Sequence, residues 1–130
     1  MKKLIMCCIA LTCAAILSEC GNPHADIVKE FLTTVQSGDH EKIAKFTKQY
    51  FTIGLEEQLR YNKETKKFFK EISIAKKPVE TKVVNERKGD GARQTVIRAE
   101  SNGKFLYIVV LESKALGCKI TAVTDSILDL

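Results

Sequence analysis

Hydrophobic positions fall into three regimes along the chain. From Leu4 to Leu17 they form an almost unbroken apolar run behind a basic start, Met1-Lys2-Lys3. From Ile27 they recur at helical spacing: Ile27, Val28, Phe31, Leu32 and Val35 share a face, and Gly38 supplies the stop. Asn22 is suited to cap this helix and Pro23 to open it. Asp39 then caps a second, shorter helix with Ile43 and Phe46 on its inner side. A third helical pattern, capped by Thr52, runs from Ile53 to around Lys70, with Leu55 and Leu59 as one apolar step and Phe68, Phe69 and Ile72 as another. The polar stretch Arg60-Tyr61-Asn62-Lys63-Glu64-Thr65 between them fits one bent helix or two separate ones equally well.

After Pro78 the period changes to two. Strands are predicted from Glu80 to Lys88, Arg93 to Glu100, Phe105 to Leu111 and Cys118 to Thr124. Gly89-Asp90-Gly91 and Ser101-Asn102-Gly103 read as hairpin turns, and Lys114-Ala115-Leu116-Gly117 as a third turn. The strand Phe105-Leu106-Tyr107-Ile108-Val109-Val110-Leu111 is apolar on both faces, which a sheet with one wet face does not produce. One face should meet the helices. The other needs a cover: a bend of the same sheet, the tail Ile127, Leu128 and Leu130, or a second copy of the chain.

The opening run is shorter than the roughly 20 residues of a membrane-spanning helix, and its basic start and small-residue flank fit an export signal. The string Leu17-Ser18-Glu19-Cys20 resembles the lipobox of bacterial lipoproteins, with Glu19 standing where that pattern has Gly, Ala or Ser. The resemblance implies a signal peptide over 1–19, a lipid-modified Cys20 with a short tether over 20–23, and one domain over 24–130. It further implies a protein of the bacterial cell envelope, facing periplasm or cell surface, with the membrane as its partner through the lipid. A tether of three or so residues reaches only about 10 Å, so the domain is expected close to the headgroups. Cys7, Cys8 and Cys13 read as small hydrophobes of the signal's apolar core.

The residues Asp26-Ile27-Val28-Lys29-Glu30-Phe31-Leu32-Thr33-Thr34-Val35-Gln36-Ser37-Gly38-Asp39-His40-Glu41-Lys42 form an amphipathic helix, a Gly-Asp step and a short helix. Followed by an antiparallel meander, this order resembles the cystatin-like α+β fold of nuclear transport factor 2-like domains. With the lipobox-like start, the whole chain is similar to small lipoproteins of Bacteroides-type bacteria that carry such a domain of unknown function. The resemblance implies N-terminal helices packed on a curved antiparallel sheet, a cone with an apolar pocket, and homodimers through the sheet. Some relatives of this kind are isomerases, dehydratases or cyclases; many only bind or scaffold.

The residues name no chemistry of their own. The chain carries a net charge of +5, which favours anionic surfaces weakly and does not point to nucleic acid. Past Cys20 only Cys118 remains, and it reads as a buried thiol at the start of a strand. His24 and His40 stand at helix starts and read as solvated or capping residues. Asp39-His40-Glu41 is a helix start whose adjacent side chains diverge, so no metal site is expected there. No Ser-His-Asp or Cys-His arrangement stands out, and Gly89-Asp90-Gly91 precedes a strand where a phosphate loop needs a helix.

No catalytic residue and no cofactor are therefore expected. Arg98 and Tyr107 are the candidates for a polar handle in a pocket, with Tyr50 and Tyr61 at its mouth. Lys63, Lys66, Lys67 and Lys70 fall at i, i+3, i+4 and i+7, a basic stripe that suits an anionic surface if not merely solvated. The expectation is a tethered, non-catalytic binding or accessory domain of the envelope, its small-molecule or protein ligand unspecified. The alternative is an enzyme-like cone pocket; a cystatin-type inhibitor is a third reading, without the Gln-Val-x-Gly loop it needs.

Overall fold

The computed structural model describes residues 22–75 and 79–126, and within them the chain is α+β: four helices followed by a four-stranded antiparallel sheet. The signal-like segment, Cys20 and the tail after Ser126 lie outside the described residues.

Helix α1 (Pro23–Ser37) starts as its sequence dictates. The Asn22 side chain accepts from the backbone N–H of His24 and of Ala25, at 2.9 and 3.4 Å. Gly38, at φ +70°, turns the chain out through a left-handed residue. Helix α2 (His40–Tyr50) is capped by Asp39, which accepts from Glu41 and Lys42 N–H. The third helical pattern resolves into two helices, α3 (Leu55–Tyr61) and α4 (Lys63–Ala75). Asn62 breaks the run because its side chain accepts from Thr65 N–H and so caps α4.

Thr52 is not the cap of α3. Its N–H and hydroxyl both donate to the Ile120 carbonyl, tying the junction to the last strand, and α3 opens instead after Gly54 at φ +88°. Ile53, read as the first helical residue, is consequently left fully exposed.

The strands β1 (Glu80–Gly89), β2 (Ala92–Ser101), β3 (Lys104–Ser113) and β4 (Gly117–Thr124) pair in sequence order. Both two-residue hairpins form as expected: Asp90-Gly91 and Asn102-Gly103 have positive φ at both positions, the geometry that matches strand twist. Register slips at Val83/Asn85 and Val109/Val110 are bulges, which bend their strands.

The core lies between the helices and one sheet face. Ile97, Ala99, Leu106, Ile108, Val110, Ile120 and Val123 meet Val28, Phe31, Leu32, Phe46, Leu55, Phe68 and Ile72, all buried. Phe31 is the hub of an aromatic cluster, its ring centre 5.4–5.5 Å from those of Phe46, Phe51 and Phe69. On the opposite sheet face the cross-strand pair Val96 and Val109 is buried.

Candidate functional site

At the end of the sheet carrying the β1–β2 and β3–β4 turns, the helix-facing positions change from apolar to polar. Register places Glu86 opposite Thr95, Arg93 opposite Glu112, and Glu112 opposite Cys118. Thr95, Glu112 and Cys118 continue the inward phases of Ile97, Val110 and Ile120. Arg93 Nε donates to Glu86 at 2.8 Å along this row.

Into the row descends the first turn of α1. His24 is fully buried, and both ring nitrogens are engaged: Nδ1 lies 2.8 Å from Thr95 Oγ1 and Nε2 lies 2.8 Å from Glu112 Oε1. Thr95 is fully buried as well, whereas the Glu112 side chain is 46% exposed. The contacts join residues 71 and 88 positions apart, so this cluster also pins α1 to the middle strands. The network closes when Nε2–H donates to the carboxylate and the threonine hydroxyl donates to Nδ1.

Cys118 is half-buried and completes the group: an Nε2 or Nδ1, a carboxylate oxygen and Sγ all lie within 4.8 Å of one another. Burial pushes the thiol pKa up, and the neighbouring Glu112 charge and its hydrogen bond push it further, while Arg93 pulls the other way. The raised pKa keeps the sulfur a thiol at neutral pH, a poor nucleophile. The solvent side of Glu112 faces an open depression of about 510 Å³ rimmed by Lys88, Arg93 and Lys114.

This corrects the sequence reading of His24. It is neither solvated nor a cap; its side chain fills a position on the buried stripe, one turn before Val28. The Cys-His arrangement that the sequence did not reveal is present, with Glu112 between the two side chains. Cys118 is less enclosed than the buried thiol expected of it. His40, by contrast, is exposed at the start of α2, as read.

The four candidate pocket residues do not come together. Arg98 and Tyr107 are cross-strand partners, on the sheet face away from the core positions Ile97 and Leu106. Arg98 lies over the Phe105 ring at 4.7 Å and borders an open depression of about 470 Å³ with Lys29, Lys82 and Glu100. Tyr50 packs on Phe46 at 4.7 Å between ring centres, and Tyr61 stands 79% exposed at the end of α3. Lys63, Lys66, Lys67 and Lys70 are all exposed on α4. Glu71, next to the stripe, pairs with Lys104 beside the β2–β3 turn, at the sheet end opposite His24. Among the described residues, no helix is long and apolar enough to cross a membrane. No known family model matches the chain, and neither a characterised protein nor a solved structure shows significant similarity to it.

Proposed function

We propose that this chain is a lipid-anchored cell-envelope protein whose single domain, of nuclear transport factor 2-like (cystatin-like) shape, serves as a non-catalytic binding or accessory module. The observation that carries the reading is the position of Asn22. It is 5% exposed and already engaged as the cap of α1, two residues after Cys20 in the lipobox-like string. A lipid on Cys20 would thus hold the polar end of the sheet, with His24 and Glu112, directly against the headgroups. The export pattern of the first residues and the order of helices before an antiparallel meander support the same reading.

A second reading, an enzyme-like domain with a cone pocket, draws on the His24–Glu112–Cys118 cluster. The space between helices and sheet is filled by Phe31, Phe46, Phe68 and their neighbours, which favours the accessory role. Expression of the full chain and of Cys20→Ser in a bacterial host, followed by fractionation, separates anchor from no anchor. The parent is expected in the membrane fraction and the variant in the soluble fraction. Identical soluble partitioning of both would overturn the anchor.

A further inference from the structure

We infer that His24 Nε2, the Glu112 carboxylate and Cys118 Sγ form a binding site for a zinc ion, with a fourth position open toward the depression beside Glu112. The inference is independent of the anchor, since it concerns only the folded domain.

Three observations carry it. The first is convergence. The ligand atoms of three different chemistries lie within 4.8 Å of one another, brought from α1, β3 and β4. Zinc bonds of about 2.0 Å to nitrogen and oxygen and 2.3 Å to sulfur put tetrahedral donors about 3.3–3.5 Å apart. The His24–Glu112 contact of 2.8 Å must open by a fraction of an ångström, and the half-exposed glutamate has room to do so.

The second is the neighbour behind the ring. Thr95 Oγ1 sits on Nδ1 at 2.8 Å, and a hydroxyl donates or accepts by rotating about its own bond. It can therefore accept from Nδ1–H when Nε2 turns its lone pair to a metal, with no side chain moved. An oriented partner on the non-ligating nitrogen is what a metal-bound imidazole requires.

The third is charge and access. On binding, the Cys118 thiol gives its proton to solvent, the ring takes the tautomer with its proton on Nδ1 and its lone pair on Nε2, and the ion takes the place of the hydrogen bonds to Glu112. Thiolate, carboxylate and Zn²⁺ then sum to zero, which suits a half-buried site. A nitrogen, oxygen and sulfur set is borderline in softness and fits zinc better than magnesium or calcium. The fourth position opens on the rim of Lys88, Arg93 and Lys114, so water or an anionic group is the ligand that this surface would hold there.

The test uses the full chain in detergent with Cys7, Cys8, Cys13 and Cys20 changed to serine, so that Cys118 is the one thiol. After dialysis against a chelator, zinc is titrated by calorimetry and cobalt by absorption. One ion per chain is expected, with a thiolate-to-cobalt charge-transfer band and about one proton released per ion. Cys118→Ser should abolish the band and weaken zinc binding by at least about tenfold, and Thr95→Val should weaken it by about tenfold. Absence of the band in the parent, or unchanged zinc affinity in a Cys118→Ser variant with parent-like circular dichroism, would overturn the site. The parent spectrum decides the matter even if a variant fails to fold.

Discussion

Truncating His24 to alanine removes a fully buried ring and strips the equally buried Thr95 hydroxyl of its partner. The cavity and the orphaned hydroxyl together should cost about 2–4 kcal/mol, read as a fall in urea midpoint. A loss of only a few tenths would contradict the packing role given to the ring. Cys118 carries the pH dependence. Burial first, then the Glu112 charge and hydrogen bond, hold its pKa up, so alkylation of the metal-free protein should reach its half-maximal rate at higher pH than in the unfolded chain. Glu112→Gln should move that midpoint down and Arg93→Gln should move it up, because one change removes an anion and the other a cation. Midpoints that stay put in both variants would contradict the cause assigned. The buried position of His24 had a trace in the sequence: residues 24, 28, 31 and 35 repeat at helical spacing. Likewise Thr95, Glu112 and Cys118 each extend the inward phase of an apolar strand. A polar residue on an apolar phase reads as the end of the stripe until its partners are known, and here they lie on strands far along the chain.

At the scale of elements, the caps and turns were legible because local chemistry decides them. Asn22 and Asp39 cap, Gly38 stops α1, and the Asp-Gly and Asn-Gly pairs make the hairpins with no help from tertiary contacts. The α3 start was not, because Thr52 had two offers: capping the helix or donating to the Ile120 carbonyl across the fold. The long-range partner won. The break between α3 and α4 turned on one side chain, Asn62, in a stretch whose polarity allowed both outcomes. Thr65, in the first turn of α4, is fully buried, and its hydroxyl finds no partner among the described residues. Thr65→Val keeps the shape and removes that burden, so the variant should be more stable by about 1 kcal/mol in chemical denaturation. A destabilised variant would show that the hydroxyl is satisfied in solution.

For the whole molecule, the pinning of α1 to one end of the sheet sets orientation. Asn22, His24 and the β1–β2 and β3–β4 turns share that end, and the Asn102-Gly103 turn stands at the other, about 30 Å away along ten-residue strands. If Cys20 is lipidated, a fluorophore at Ala115 should be quenched by headgroup-labelled lipid and one at Asn102 should not. Equal quenching at both would contradict the seating. The layered order of helices and sheet was readable from the change of hydrophobic period after Pro78, and the aromatic filling of the interior was not, since Phe31, Phe46, Phe51 and Phe69 come from separate elements. The anchoring itself is most directly tested by the intact mass of the N-terminal peptide of the protein taken from its native host. A lipid-anchored protein yields a peptide that begins at Cys20 and bears a diacylglyceryl group on sulfur. A soluble chain that still begins at Met1, with Cys20 unmodified, would contradict it.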